Sequence, residues 1–254
     1  MRKIGYRVKP QTQYLKDFVA KYALFFDTME IKVHNDMLHT PCVEHIIHSF
    51  YDAGIENLSF HIPKKALYDK EHYNNTITFL DKFSPFCNNV LVTHLYPNME
   101  YDGIFIKGII GRIESEKVVL AIENVEVYEN LMSYLTCIKE FVSHWNLMVC
   151  LDVGHLLYSV IKCNMSLQSV VKFFNEDVWW KEHVVEIHMH ETNESQCHLN
   201  IGCGIIDYST ICQLFKCFRD SCPVILETTI EDLSIQGVKE VQKLRKELEE
   251  NAYN

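Results

Sequence analysis

Eight short runs rich in β-branched and apolar residues recur along the chain: Lys3 to Val8, Thr28 to Val33, Asn57 to Ile62, Asn88 to Leu95, Val118 to Val125, Leu147 to Val153, Val184 to His190 and Pro223 to Thr228. Longer stretches with apolar residues at helical spacing alternate with them: Gln13 to Tyr22, Pro41 to Ala53, Glu71 to Phe83, Asp102 to Ser115, Tyr128 to His144, Leu167 to Phe174, Tyr208 to Arg219 and Ile235 to Glu250. A two-residue period alternating with a 3.6-residue period is what parallel strands joined by crossover helices produce. Val118-Val119-Leu120-Ala121-Ile122 and Leu147-Met148-Val149-Cys150-Leu151 are nearly continuous apolar runs, as expected of strands covered on both faces. Thr40-Pro41 reads as a helix N-cap followed by proline at the first helical position, and Ala53-Gly54 as a helix stopped by glycine. Eight such units predict an α/β protein of (β/α)8 barrel architecture, with residues 1–254 as a single domain. The first run is not followed by a glycine-rich turn, which disfavours an open dinucleotide-binding sheet.

Composition narrows this picture. With 254 residues, 48% of them hydrophobic, the chain can bury one substantial core. No run approaches the ~18 apolar residues of a membrane span, and Met1 to Arg7 leads into a strand pattern without the apolar stretch of a secretion signal, so a soluble cytoplasmic protein is expected. The ten cysteines are scattered and form no C-x-x-C pair, which predicts reduced thiols, with Cys150 a small buried hydrophobe. A formal charge of −10 weighs against a large nucleic-acid footprint, although bound cations would add local positive charge.

Candidate chemistry sits where the strands end, because the loops at that face of a barrel surround one cavity. Six consecutive runs end on ionisable groups: His61, His94, Glu123, Asp152 with His155, His188 with His190, and Glu227. Each run is apolar up to those positions, so burying such groups costs several kcal/mol unless they are paired or hold a metal ion. His188 and His190 are two apart and share a strand face. Mixed imidazole and carboxylate donors suit zinc, manganese, cobalt, iron or magnesium better than calcium, and no organic cofactor is implied.

These residues resemble the xylose isomerase-like barrel superfamily, which includes sugar-phosphate isomerases and epimerases and the endonuclease IV class. The resemblance implies a metal held by Glu123 in Leu120-Ala121-Ile122-Glu123-Asn124, Asp152 in Leu151-Asp152-Val153-Gly154-His155, His188 in Ile187-His188-Met189-His190 and Glu227 in Ile225-Leu226-Glu227-Thr228. The segment His198 to Asp207 resembles the family's H-x-x-x-G-x-G-x-I-D loop, which implies that Gly202 and Gly204 allow a tight turn and close approach to a substrate.

Two activities follow from the resemblance. The isomerase branch implies a carbohydrate substrate whose proton is exchanged by Glu123 and Glu227. The endonuclease IV branch implies a three-metal cluster on abasic DNA, with further ligands at His61, His94, His155 and His198, while His190, on the same strand face as His188, is a further candidate metal or substrate ligand. Two departures count against that branch: Gln196 stands where an aspartate ligand is expected, and Ile62-Pro63-Lys64-Lys65-Ala66 lacks the Tyr-Leu wedge. Glu191 also stands where relatives often carry Asp, and the substrate-contacting arginine of several epimerases has no clear counterpart. The motif wording therefore favours a metal-dependent sugar or sugar-phosphate isomerase or epimerase, with a phosphodiesterase or a non-catalytic metal-binding barrel as alternatives. Lys64, Lys65 and Lys107 read as surface charges. His34, His39, His45, His48, His72, His144 and His183 read as ordinary residues away from the mouth. Nothing in the sequence sets the oligomeric state.

Overall fold

The computed structural model describes residues 2–9, 16–33, 41–55, 57–87, 90–97, 99–114, 118–228 and 234–251. The eight apolar runs form eight parallel strands: β1 Ile4–Val8, β2 Thr28–Lys32, β3 Leu58–His61, β4 Val90–Leu95, β5 Val119–Asn124, β6 Met148–Asp152, β7 Val184–Met189 and β8 Val224–Leu226. Each pairs with its sequence neighbour, and β8 pairs back to β1, so the sheet closes into a barrel.

The predicted helices appear as α1 Lys16–Ala23, α2 Pro41–Asp52, α3 Lys70–Phe83, α4 Gly103–Ile113, α5 Leu131–Trp145, α7 Leu167–Glu176, α9 Tyr208–Lys216 and α10 Ile235–Asn251. Two more, α6 Val153–Lys162 and α8 Val178–His183, lie between β6 and β7 and are not announced by the apolar pattern. Helix α6 follows directly on β6 because the Asp152 carboxylate accepts the backbone N–H of His155 and caps the helix. Helix α5 starts three residues later than its apolar pattern suggests, because Asn130 takes a left-handed conformation with φ 54°. Thr40, Asn88, Ser115 and Gln13 lie outside the described residues, while Gly54 ends α2 with φ +76° as its position implied.

Most of the apolar core lies between strands and helices, in clusters such as Phe174, Trp180 and Phe218, all buried. Inside the barrel, Val90, Val92, Ala121 and Cys150 form a small apolar plug. Polar residues share that interior: Arg7, Glu30, Ser59 and Glu186 are buried on β1, β2, β3 and β7. Register then sets candidate groups side by side, since paired residues of adjacent parallel strands face the same way. Arg7 aligns with Glu30, Lys32 with His61, His94 with Glu123, and Asp152 with His188.

All nine described cysteines are free thiols. Among the described residues no helix is long and apolar enough to cross a membrane.

Candidate metal centre

Glu123, at the rim end of β5, is completely buried and collects three imidazoles. Its Oε2 lies 2.8 Å from His61 Nε2 and 2.9 Å from His94 Nε2, and its Oε1 lies 2.7 Å from His188 Nδ1. Burial alone would raise this carboxyl's pKa, but His94, His188 and His61 outweigh it and hold the group well below the usual carboxylate range. Burial pushes His61 down to about 4, only partly offset by Glu123. His61 is therefore neutral near pH 7, with Nδ1 3.2 Å from the Ile62 carbonyl and Nε2 2.8 Å from the Glu123 carboxylate. A neutral ring has one proton for these two acceptors, so one nitrogen turns a lone pair toward an oxygen, a mismatch that a cation between Nε2 and Glu123 would relieve. Neighbouring donors around an ion bound at about 2.1 Å sit about 3 Å apart, so the three distances fit a divalent cation.

Among the described residues, two sets of donor atoms, each within 4.8 Å of one another, emerge around the mouth. One is His61, Glu123, His188 and Glu227; the other is His155, His190, His198 and Glu227. Glu227 belongs to both: its Oε1 is 3.7 Å from His188 Nδ1, and its Oε2 is 3.3 Å from His198 Nδ1. Asp152 belongs to neither set and stands beside the second, with Oδ1 3.2 Å from His190 Nε2 and Oδ2 3.8 Å from His155 Nε2. His155 and His190 outweigh burial and hold its carboxyl below the usual range. Asp152 Oδ2 and the Nδ1 atoms of His155 and His198 are buried without a hydrogen bond, as expected of groups arranged for an ion. The Asn124 side chain clamps the Asp152 backbone, accepting its N–H at 2.8 Å and donating to its carbonyl at 2.9 Å.

The loop after β7 is built to present His198. His198 itself is left-handed, with φ 58°, a conformation that costs a non-glycine residue about 1–3 kcal/mol and persists only where neighbours enforce it. Its N–H donates to His190 Nδ1 at 2.9 Å, and Leu199 and Glu191 exchange backbone hydrogen bonds at 2.8 and 3.1 Å. Burial, reinforced by His190 and His155, lowers the His198 pKa to about 2, so its ring is neutral. Gly202, with φ +85°, and Gly204 donate their N–H groups to Glu191, which also accepts from Tyr208 Oη at 2.6 Å. Neither glycine lines the cavity; both amides hold Glu191 instead.

The cavity has a volume of about 890 Å³. His61, His94, His155, His198 and Glu227 reach it from the strand ends, and Lys32, Lys64, Lys65 and Arg7 bring positive charge to its wall. Lys64 and Lys65 are thus mouth residues, unlike the surface charges expected from sequence, whereas Lys107 lies over the Trp145 ring and does not line the cavity. His72 also lines it, although sequence placed it away from the mouth; His34 and His39 lie outside the described residues.

Arg7, Glu126, Glu30 and Glu186 escape the sequence reading. Arg7 forms a buried ion pair with Glu227. Glu126 brings a carboxylate to the side where the sequence carries Gln196, with Oε2 3.1 Å from His155 Nδ1. The available signals were a charged residue inside each of two otherwise apolar runs, β1 and β2, and a Glu two residues before His188.

The profile of the xylose isomerase-like TIM barrel family matches residues 106–250. The chain belongs to that family. Solved structures of similar fold include D-psicose 3-epimerase with D-tagatose from Clostridium cellulolyticum H10, at 14% identity over 99% of this chain and 98% of that one, with a TM-score of 0.60. A xylose isomerase domain protein from Planctomyces limnophilus matches at 12% identity over 97% and 94%, with a TM-score of 0.61. A xylose isomerase-like TIM barrel protein from Mycobacterium smegmatis in complex with magnesium matches at 12% over 92% and 89%, with a TM-score of 0.55. At these identities the likeness concerns the fold. No curated protein sequence matches this family member.

Proposed function

We propose that the protein, with residues 1–254 acting as one domain, is a divalent-metal-dependent phosphodiesterase working at the barrel mouth. The observation that carries this reading is the position of Glu227, whose two oxygens face two adjacent donor sets. A carboxylate shared in this way suits a pair of neighbouring cations, and paired cations are the usual apparatus for displacement at phosphorus.

In this reading His61, Glu123 and His188 hold one ion with His94 beside them, His155, His190 and His198 surround another with Asp152 and Glu126 beside them, and Glu227 serves both. Ions bound there would supply Lewis-acid charge to a phosphoryl oxygen and lower the pKa of a water. The chain's own residues do the rest. Lys32, Lys64 and Lys65 draw a phosphate anion into the cavity and orient it. Arg7 holds Glu227 in place from the floor. The neutral rings of His61 and His198 keep their lone pairs available near pH 7. His190 takes the His198 N–H on one nitrogen and faces Asp152 with the other, tying the loop to the β6 end.

Isomerisation or epimerisation of a sugar or sugar phosphate is the second reading, and the first donor set alone supports it. It would hold one ion, with Glu123 and Glu227 both close enough to exchange a substrate proton. It ranks second because a single ion would leave the second donor set, His155, His190, His198 and the other oxygen of Glu227, without a task.

The test is parallel assay of protein loaded with zinc, manganese, cobalt or magnesium. Cleavage of a generic phosphodiester or nicking of an abasic duplex, lost in Glu123→Gln, with more than one ion per chain, is the expected result. One ion per chain, no cleavage, and solvent deuterium appearing in a sugar or sugar phosphate would replace it with the isomerase reading.

A further inference from the structure

Below the mouth, His188 turns its other nitrogen toward two buried acids that the proposed chemistry leaves without a task. Its Nε2 lies 3.1 Å from Glu30 Oε2 and 3.4 Å from Glu186 Oε1. Glu30 sits in mid-strand on β2 and Glu186 on β7; both are completely buried, and neither lines the cavity. Ser59 Oγ donates to Glu186 Oε2 at 2.7 Å, which keeps that carboxylate turned so that Oε1 meets His188. Arg7 Nε stands 3.9 Å from Glu30 Oε1. Both Glu30 oxygens are buried without a hydrogen bond. Keeping two carboxylates in a barrel interior costs several kcal/mol, so their shared target is informative.

Resting on the metal-site reading above, we propose that Glu30 and Glu186 are positioning residues that fix His188 with its proton on Nε2, so that Nδ1 is the nitrogen offered to the ion. A neutral imidazole carries one N–H and one lone pair. With the proton on Nε2, that N–H meets Glu186 Oε1 at 3.4 Å with the Glu30 carboxylate 3.1 Å to one side as a favourable charge, and the Nδ1 lone pair points to the side where Glu123 Oε1 lies at 2.7 Å. The other tautomer would set the Nε2 lone pair against two carboxylates at once. Carboxylates that bind the far nitrogen of a ligand histidine in this way orient the ring and raise its donor strength.

The alternative occupant of this space is a further ion held through Nε2, because Cys150, Glu186 and His188 also place donor atoms within 4.8 Å of one another. NMR of the full chain, carrying isotope-labelled histidine and loaded with zinc, separates the two. The expected spectrum shows His188 with Nε2 protonated and Nδ1 shifted by the metal; a metal-shifted Nε2 overturns the proposal. Zinc affinity, measured by competition with a chelator, should weaken about 10- to 100-fold in Glu30→Gln and in Glu186→Gln. It should not change in Glu44→Gln, an exposed charge on α2. Unchanged affinity in both interior variants also overturns the assignment. If either variant fails to fold, the wild-type spectrum still decides. A wild-type chain that binds no ion would instead remove the metal reading itself, an outcome distinct from failure of the tautomer assignment.

Discussion

Replacing Gly154 by alanine drives a methyl group into His190. A Cβ at that position lies 2.2 Å from the ring's Cε1 and Nδ1 and 2.4 Å from its Nε2. Comfortable contact needs about 3.5 Å, so the ring must retreat by more than about 1 Å. It cannot do so freely, because Nδ1 accepts the His198 N–H at 2.9 Å and Nε2 faces Asp152 Oδ1 at 3.2 Å. Overpacking costs about 1–3 kcal/mol, and the strained or lost buried hydrogen bond adds about 1 kcal/mol. The better helix propensity of alanine returns at most about 1 kcal/mol. The net loss is about 1–3 kcal/mol, or a Tm lower by roughly 2–12 °C for a chain of this size. Gly111→Ala is the matched control: Gly111 lies in α4 with no atom within 4 Å of where an added methyl would sit, so the variant should be neutral or more stable by up to about 1 kcal/mol. Thermal unfolding of the chelator-treated protein, followed by circular dichroism, gives both values. A Gly154→Ala protein as stable as Gly111→Ala, with unchanged ion affinity, would refute the close packing of His190 on α6.

Three further outcomes are expected. Glu191→Ala leaves the Gly202, Gly204 and Tyr208 donors without their shared acceptor, so the urea midpoint should fall by an amount equivalent to about 3 kcal/mol; a loss under about 1 kcal/mol would show that the loop does not depend on this carboxylate. Unfolded His61 takes up a proton near 6.5 but folded His61 only near 4, because burial opposes its charge. Between those values the unfolded state binds more protons, so metal-free protein should lose up to about 3 kcal/mol as pH falls from about 6.5 to about 4. His61→Asn should lack that slope, and superimposable urea midpoints against pH for the two proteins would contradict the burial argument. Finally, Lys64→Ala with Lys65→Ala should raise KM for a phosphodiester and flatten its salt dependence while sparing kcat; an unchanged KM would take both lysines out of substrate capture.

The alternation of two apolar periods was enough to read the barrel, because strands covered on both faces are mostly apolar and each crossover helix presents one apolar stripe to them. Helices α6 and α8 escaped this reading for local reasons. Asp152 ends a strand and caps a helix with the same side chain, so no polar linker announces the change. Helix α8, Val178–His183, is too short to show a period. The residues His61, His94, Glu123, Asp152, His155, His188, His190 and Glu227 were legible as candidates because an ionisable group closing an apolar run is conspicuous, whereas His198, in the loop after β7, was reached only through the resemblance of its segment.

What the sequence alone determined is therefore the set of strands and the chemistry carried at their ends, both written in short-range patterns of polarity. Only the tertiary structure decided how those ends meet. Strand register and barrel closure put Glu227 between two donor sets, moved Asp152 beside the second, set Arg7 against Glu227, and turned the Gly202 and Gly204 amides onto Glu191. Those contacts join residues from 11 positions apart, as between Gly202 and Glu191, to opposite ends of the chain, as between Arg7 and Glu227. They depend on the stagger and tilt of the closed sheet, which no local run of residues records.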